Sequence, residues 1–206
     1  MELRTTARRF DELYSLLLQR LSPRRVFHTL GTAHTAVGLA ARHGADPLAA
    51  LLAALLHDMA KEHDHAALLE KMEQHLRDLD PDDKDFPSIW HAIVGEILAR
   101  EEFGVLSPEI GLAIRTHPTG DGEMNLLGQI IFLSDYIEPT RTYDGVKNLR
   151  RLARENLAAA IDAAILNKTE FIKKKGRRLH GRSLRALEAA RRRAAHDAPV
   201  VNGKED

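Results

Sequence analysis

The stretch LAALLAALLHDMAKEH, residues 48–63, holds the longest apolar run of the chain and ends it with the pair His57-Asp58. Residues 48–56 are apolar on every face of a helix, which is typical of a helix surrounded by protein. A carboxylate that follows such a run is costly to bury unless something offsets its charge, and a metal ion does so. The side chains of neighbouring helical residues point about 100° apart. His57 and Asp58 could therefore bind the same ion only if it lay beside the end of the helix or between the two side chains.

Signals for helix ends recur on both sides of this run. A capping residue or a proline precedes each further apolar segment, and Gly44, Gly104, Pro118 and Pro139 follow four of them. These signals predict helix starts at Ser22-Pro23, Asp46-Pro47, Ser88, Ser107-Pro108, Asn125 and Asp144, with two or three helices between the last of these and about residue 195. Period-2 alternation is nearly absent, so we expect an all-α fold without a sheet, a single helical bundle.

The composition excludes several classes of protein. The 206 residues carry 30 Lys+Arg and 30 Asp+Glu, and the formal charge of +0 argues against binding to nucleic acid or to a membrane surface. Zero cysteines exclude a disulfide scaffold and a thiolate metal site. The start of the chain lacks the apolar region of a signal peptide, and the run 48–56 is too short to span a bilayer, so we expect a soluble, cytoplasmic protein.

Other ionisable residues also stand at the ends or on the faces of apolar segments. Asp135 follows IIFLS, His117 precedes Pro118, and His91 shares a helical stripe with Val94 and Leu98. His28 lies roughly opposite the apolar stripe of its own helix, so it faces something specific only if that second side is also covered. A mixed nitrogen and oxygen set suits Fe, Mn, Co or Zn better than Ca or Mg, and the candidates for it are His28, His57, Asp58 and Asp135.

Structural roles compete with each of these interpretations. A single histidine on an apolar face is more often a hydrogen-bonded core residue than a ligand, and Asp135 could instead pair with Arg141 or Arg150. His91 and His117 could complete a second metal site or hold phosphate. Five further histidines stand among charged or small residues, and we interpret them as solvated: His34, His43, His63, His65 and His75.

Six segments carry a resemblance to a known family, in the same order along the chain. They are HTLGTAHTA at 28–36, LLHDMAKE at 55–62, WHAIVGE at 90–96, HPTG at 117–120, SDYIEPTR at 134–141 and KGRRLH at 175–180. Together they resemble the YqeK-type subfamily of HD-superfamily phosphohydrolases over about residues 25–187. Members of that subfamily cut diadenosine tetraphosphate symmetrically into two ADP. We therefore expect an HD domain over residues 21–195, and the sequence pattern itself predicts residues 1–20 as a helix packed on it and 196–206 as a flexible tail.

The resemblance also implies roles for individual residues. It implies iron ligation, mononuclear or dinuclear with Mn or Co as alternatives, by His28, His57, Asp58 and Asp135. It implies contacts to bound ADP from Arg25, Lys61, His91, His117, Pro118, Arg141, Arg178, Leu179, His180, Gly181, Arg182 and Ser183. The sequence departs from the family at Pro118, where Thr is usual and a hydroxyl contact is lost, and at Ser134, where Ala is usual.

Hydrolysis of a phosphoanhydride needs a strong nucleophile and neutralised phosphoryl oxygens, and a metal supplies both. Lys61 lies one turn after Asp58 and could reach a bound oxygen, and His91 or His117 could protonate the departing oxygen. We therefore predict as catalytic residues His57, Asp58, Lys61, His91 and His117.

Three other functions remain as hypotheses. The chain could act on another nucleotide phosphate ester, could bind metal and nucleotide without turnover, or could dock a partner helix on residues 10–18. The leading hypothesis gives a dinucleoside polyphosphate as substrate and ADP as product, with no nucleic acid and no membrane as partner. A homodimer is a further hypothesis.

Overall fold

The computed structural model describes residues 2–196, and the side chains of residues 10–77 and 79–195. Within this part, the backbone forms helices and no strand, which confirms the all-α expectation. Three short 3-10 helices cover Leu76–Asp78, Asp83–Asp85 and Pro87–Ile89. The ten α-helices are α1 Glu2–Arg20, α2 Pro23–His43, α3 Pro47–Leu56, α4 His65–Glu73, α5 Trp90–Glu101, α6 Pro108–Thr116, α7 Leu126–Ile137, α8 Val146–Glu155, α9 Leu157–Lys174 and α10 Gly181–His196.

Most helix ends lie where the capping residues predict them. The side chains of Asp46, Ser107 and Asn125 accept hydrogen bonds from backbone N–H groups in the first turns of α3, α6 and α7. Gly44 ends α2 in the left-handed region, at φ 79°, where its N–H donates to the carbonyl of Ala40. These side chains and this glycine satisfy backbone groups that a helix end leaves unpaired.

The start of α5 differs from the prediction. Ser88 does not cap this helix, because Pro87–Ile89 form a 3-10 turn in which the N–H of Ile89 donates to Phe86. The α-helix begins only at Trp90, with Ile89 at the capping position and no side-chain cap. Proline at the first position favours such a tight turn, which shifts the start of α5 toward His91.

The second difference concerns α3, which we expected to be covered on every side. Its C-terminal half is buried, from Ala53 to Leu56, but Leu48 at its start is 54% exposed. The capping turn at Asp46 holds this end at the surface. By contrast, both sides of α2 are covered at His28, which is buried, so this histidine faces the interior.

Helix α7 is central, since it packs against α2, α3, α6, α8 and α9. Its residues 130–133 are buried and belong to a large apolar core that also contains residues of α2 and α3. A smaller core lies between α4 and α5 and includes Met72, Trp90 and Ile93. The C-terminal end of α3 and the first turn of α5 meet between these cores, so polar groups there are shielded from water.

Residues of α1 complete one side of the large core. Leu13 and Leu17 are buried in it, whereas Phe10 and Leu18 are 37% and 54% exposed.

The expected tail at 196–206 lies outside the described residues, apart from the backbone of His196. In the described part, every helix is too short or too polar to cross a membrane; the cytoplasmic location remains a prediction.

Candidate metal centre

Five of the predicted catalytic and metal-binding side chains meet at one place between the two cores. His28 comes from α2, His57 and Asp58 follow α3, His91 lies in the first turn of α5, and His117 ends α6. All five are buried, with exposures between 0% and 7%. Asp135 on α7 joins them with its side chain 15% exposed.

The first group of potential ligands surrounds one oxygen of Asp58. His28 and His57 have their Nε2 atoms 3.3 Å apart, and each of these atoms lies 3.7 Å from Asp58 Oδ2. Asp135 Oδ1 lies 3.1 Å from His28 Nε2. Two ligands that are each about 2.1 Å from one ion, at 90–110°, would lie roughly 3.0–3.4 Å apart. These spacings are therefore close to those of a coordination sphere.

The second group surrounds the other oxygen of Asp58. Asp58 Oδ1 lies 3.3 Å from His91 Nε2 and 3.6 Å from His117 Nε2, and the two imidazole atoms are 3.3 Å apart. Among the described residues, this oxygen is buried without a hydrogen-bond partner. An uncompensated carboxylate oxygen is costly in the interior, and a bound cation would offset the cost.

Backbone carbonyls fix the tautomers of two histidines. His57 Nδ1 donates to the carbonyl of Ala54 at 2.6 Å, and His117 Nδ1 donates to that of Ile114 at 2.7 Å. A carbonyl only accepts, so Nδ1 carries the proton and Nε2 keeps a lone pair that points at the cluster. This is the state in which a histidine ligates a metal ion.

The pKa values agree with neutral imidazoles in the deepest part of the cluster. Burial lowers the pKa of His57 to about 4, although the Asp58 carboxylate opposes this effect. The pKa of His91 lies well below its usual value because of burial and the nearby Lys61 ammonium. Burial alone would raise the pKa of Asp58, but His57, His117 and Lys61 outweigh it and keep the carboxylate charged. The donor set of neutral nitrogens and charged oxygens thus fits a divalent transition metal.

His28, the outermost histidine of the first group, differs from His57 and His91 in the direction of its pKa shift. Burial lowers the pKa of His28, but hydrogen bonds to Asp135 and Glu138 outweigh it, so the pKa is raised overall. Glu138 Oε1 lies 3.1 Å from His28 Nδ1 and is buried. A carboxylate at Nδ1 orients the ring so that Nε2 faces Asp58 and Asp135, as is usual behind metal-bound histidines.

Glu138 was not singled out in the sequence, although it ends the same apolar segment as Asp135. Its carboxylate accepts hydrogen bonds from the backbone N–H and the hydroxyl of Thr140, at 2.7 and 2.5 Å. Arg150 fixes the backbone around it by donating to the carbonyls of Ile137, Glu138 and Arg141. The signal that could have revealed it is a glutamate between a buried helix and a proline, Pro139.

Lys61 and two arginines supply positive charge around the cluster. Lys61 Nζ lies 2.9 Å from His91 Nε2 and 3.8 Å from Asp58 Oδ1. Arg25 Nη1 donates to Asp58 Oδ2 at 2.8 Å, and Arg141 Nη2 donates to Asp135 Oδ1 at 2.8 Å. The sequence left two roles open for Asp135, an ion pair with Arg141 or a place among the potential metal ligands. Asp135 makes both contacts, since it pairs with Arg141 and also lies 3.1 Å from His28 Nε2. Arg25 and Arg141 both line a cavity of about 310 Å³ beside the cluster, and such cations can bind anions.

The segment 178–183 has partners of its own. Arg182 donates to Asp83 Oδ1 at 2.6 Å and to Asp80, and His180 Nε2 lies 3.1 Å from the same Asp83 oxygen. The hydroxyl of Ser183 donates to the carbonyl of Thr119, two residues after His117. The segment thus adjoins the His117 end of the cluster through a buried network.

The remaining predicted binding residues have few polar contacts with the cluster. Arg178 is exposed above the ring of Phe86, Leu179 is half-buried, and the N–H of Gly181 donates to Asp82. Pro118 is half-buried beside His117 and has no hydroxyl to offer. Ser134 is buried, and its hydroxyl has no hydrogen-bond partner among the described residues. Nucleotide contacts from these residues remain predictions.

Lys168 on α9 is a second residue that the sequence interpretation missed. Its Nζ lies 5.0 Å from the ring centre of Phe132 and 5.9 Å from that of Tyr136, both on α7. Burial lowers its pKa to about 8, although the Asp135 carboxylate raises it. The helix period alone gives no sign that this lysine faces the site, because lysines on α9 also occur at its exposed end.

A helical fold with clustered His and Asp side chains is typical of the HD-domain proteins. The family model named HD domain matches residues 25–140 of this chain. The protein named symmetrical bis(5'-nucleosyl)-tetraphosphatase from Bacillus subtilis is 39% identical over 80% of this chain and 88% of its own length. Its namesake from Halalkalibacterium halodurans is 37% identical over the same shares. The chain therefore belongs to the HD-domain family and, within it, to the YqeK-type group of these relatives.

A solved structure supports the same placement. It is described as an HD superfamily hydrolase involved in NAD metabolism, from Clostridium acetobutylicum. Its TM-score is 0.85 at 33% sequence identity, and the match covers 89% of this chain and 97% of that one. The likeness extends beyond the HD domain to most of the helical bundle.

Proposed function

We propose that this protein is an iron-dependent hydrolase that cleaves diadenosine tetraphosphate symmetrically, with water, into two ADP. The observation that carries the proposal is the convergence of His28, His57, Asp58 and Asp135, whose ligand atoms are linked by four contacts of 3.1–3.7 Å. Relatives that are named for this reaction are 37% and 39% identical over 80% of this chain and 88% of their own length, which supports the proposal. Those names support a dinucleoside tetraphosphate as the substrate, and ADP as the product is part of the proposal.

The same four residues would hold the metal. Iron is the proposed ion, and manganese or cobalt would also suit two imidazoles and two carboxylates. When bound, such an ion supplies Lewis acidity and lowers the pKa of a water molecule. Glu138 keeps His28 oriented for this task, since it holds Nδ1 at 3.1 Å.

Lys61, His91 and His117 act on the phosphate chain in this proposal. Lys61 places a cation 2.9 Å from His91 Nε2, where a second ion would otherwise bind, so this side suits phosphoryl oxygens better than a second metal. The ammonium would bind a phosphoryl oxygen as a point charge. The buried imidazole of His117 can donate a hydrogen bond to the departing oxygen once it is protonated, and thus serve as the general acid.

Arg25 and Arg141 would bind phosphates on either side of the reacting one. Each arginine holds a carboxylate of the cluster, Asp58 or Asp135, at 2.8 Å, and each remains partly exposed. A guanidinium offers five donors in a fixed plane, so one edge can keep the carboxylate while another binds phosphate. The segment 178–183 would contact one nucleotide from the His117 end.

The test combines metal analysis with product chromatography. Protein purified without oxygen is analysed for metals, and is then incubated with diadenosine tetraphosphate. About one iron per chain and ADP as the sole product would support the proposal. Inorganic phosphate released from a mononucleotide, with no cleavage of the dinucleotide, would show instead an HD phosphohydrolase of another ester. Tight nucleotide binding without turnover would show a binding module.

A further inference from the structure

A large cavity opens at the Asp135 end of the cluster and takes no part in the chemistry described above. Its volume is about 830 Å³, within the range of about 300–1,000 Å³ that is usual for small-molecule sites. Asp135 and Arg141 form its inner edge, and residues from the C-terminal half of α9 form its other wall. The cavity is therefore continuous with the place where phosphate would be bound.

Three cations line this cavity, Arg141, Lys168 and Lys174, and Lys168 lies against its aromatic rings. No hydrogen bond or ion pair of the Lys168 ammonium is found among the described residues, and its near neighbours are the rings of Phe132 and Tyr136. A half-buried ammonium against aromatic rings gains some cation–π energy but keeps its donors open. Together with Arg141, Lys168 provides positive charge for an anion that enters from the cluster.

Aromatic rings line the same cavity. The rings of Tyr136 and Tyr143 lie 4.9 Å apart, and the Tyr143 hydroxyl donates to the carbonyl of Tyr136, which fixes the pair. Phe171 is 61% exposed at the wall formed by α9. Such rings stack on nucleobases, whatever the base. Carboxylates of Asp144 and Glu170 add acceptors that suit ribose hydroxyls.

Symmetrical cleavage of a dinucleoside tetraphosphate needs a nucleoside diphosphate on each side of the broken bond. The segment 178–183 adjoins the His117 end of the cluster, and the cavity adjoins the Asp135 end. Resting on the proposed function, we propose that this cavity binds the second nucleoside diphosphate half, with Lys168 on its phosphates and Phe171 on its base.

A neighbouring cavity is a weaker candidate for this half. It lies between α2 and Glu138, has a volume of about 310 Å³, and is lined by Arg24, Arg25 and Arg141. Its lining includes no Phe, Tyr or Trp, and its single ring, that of His28, is buried and held by Glu138 and Asp135, so it offers phosphate contacts but no free ring for a base. The cavity of Lys168 offers both.

Calorimetric titration of the metal-loaded protein with ADP tests the assignment without turnover. The wild type should bind two ADP per chain, and Lys168→Ala and Phe171→Ala should each lose one of them or weaken it about tenfold. Lys173→Ala and Leu166→Ala are the matched controls, because both residues are on α9 and outside the cavity lining. Circular dichroism checks that the four variants keep the helical fold.

Kinetics separates this assignment from the proposed function. Phe171→Ala should raise KM for diadenosine tetraphosphate about tenfold and leave kcat nearly unchanged, since the ring stacks on the base and not on the reacting phosphate. A wild type that cleaves no diadenosine tetraphosphate overturns the proposed function. Normal cleavage together with one ADP per wild-type chain, or with unchanged affinity and KM in both variants, overturns the assignment alone.

Discussion

The carboxylate of Asp58 occupies the centre of the site, because its two oxygens face different pairs of imidazoles. Oδ2 faces His28 and His57 and accepts from Arg25, whereas Oδ1 faces His91 and His117 without a hydrogen bond. Without this carboxylate, the guanidinium of Arg25 and the ammonium of Lys61 lose their ion pair with Asp58, and their positive charges would repel a metal ion.

Asp58→Ala is expected to abolish both metal binding and turnover, with helicity nearly intact. The variant loses two ligand oxygens at once, and the cations Lys61 and Arg25 lose their partner. Asp58→Asn, which keeps the shape but not the charge, should fail in the same way. Metal content by elemental analysis, turnover of diadenosine tetraphosphate and far-UV circular dichroism are the measurements. Turnover that persists in Asp58→Ala would contradict the site.

Lys61→Ala is expected to lower kcat/KM by about 10- to 100-fold with metal content unchanged. The ammonium contacts His91 but is no metal ligand, and a charge-assisted hydrogen bond is worth about 1.5–3 kcal/mol. Steady-state kinetics and elemental analysis of the same preparation measure both effects. Lys71→Ala is the control, because Lys71 pairs with Glu101 away from the cluster. Loss of the metal from Lys61→Ala would show that Lys61 has a different role.

Residues of the site differ in how far the sequence predicts them. His57, Asp58 and Asp135 could be recognised because each stands at the end of an apolar run, where burial of an ionisable group is costly unless it is paired or binds an ion. Glu138 and Lys168 were missed, because their role depends on which side of a helix faces another helix. One-dimensional periodicity shows which side is apolar but gives no partner for a polar residue on that side.

At the scale of elements, the contact of α2 with the end of α7 positions the site. Gly31 on α2 has no side chain, and a Cβ atom there would lie 2.8 Å from Glu138 Oε2 and 3.3 Å from Pro139 Cδ. This close approach brings His28, one turn earlier on α2, to the carboxylate that orients it. Gly38 on the same helix has no atom within 4 Å of such a position.

Gly31→Ala and Gly38→Ala should therefore have opposite effects on stability. Alanine favours helix by up to about 1 kcal/mol over glycine, so Gly38→Ala should raise the free energy of unfolding. In Gly31→Ala, overpacking should cost about 1–3 kcal/mol, outweigh that gain and weaken metal binding through Glu138. Urea unfolding and metal titration measure the two effects. Equal stabilisation by both substitutions would disprove the close packing at Gly31.

A second contact between elements joins α10 and the residue before it to the segment that precedes α5. Asp83 is buried and holds both Arg182 and His180, so Asp83→Ala should cost about 3–5 kcal/mol of unfolding free energy. Asp85→Ala, which removes an exposed pair with Arg178, should change little. Chemical denaturation followed by circular dichroism compares the two variants. A small loss in Asp83→Ala would show that the network is dispensable.

Because the pKa of the Asp83 carboxyl group is shifted in the folded protein, we expect the free energy of unfolding to depend on pH. Burial would raise the pKa of Asp83, but His180 and Arg182 outweigh it and hold the pKa below its ordinary value of 3.8. The folded state thus favours the charged form, so this contribution is present above the ordinary pKa and is lost as pH falls through the lowered one. Asp83→Asn should remove this part of the acid dependence.

The sequence predicts where helices begin and end better than it predicts which parts of a helix are buried. Capping side chains act through contacts within four residues, so Asp46, Ser107 and Asn125 were readable from the chain. Ser88 failed as a cap because Pro87 imposes a 3-10 turn, and Leu48 is exposed because α3 begins at the surface. Neither outcome can be read from composition, since apolar residues also occur at surfaces.

At the scale of the whole molecule, the cluster joins α2, α3, α5, α6 and α7. An ion bound by groups from several helices is released on unfolding and therefore stabilises the folded state. Chelation should lower the melting temperature by roughly 5–10 °C if the ion is present at about 100 times its Kd. Calorimetry with and without chelator measures the shift, and Asp58→Ala should show none. An unchanged melting temperature of the wild type would contradict shared ligation.

The order of these groups along the chain also bears on biosynthesis. His28, His57 and Asp58 leave the ribosome well before Asp135, and Glu138, which orients His28, follows Asp135. A nascent chain therefore exposes an incomplete set of ligands until α7 has emerged. If iron is the metal, as proposed, a competing cation such as zinc would be captured by this partial set, so translation with excess zinc should yield more wrongly loaded protein than refolding of the finished polypeptide with iron.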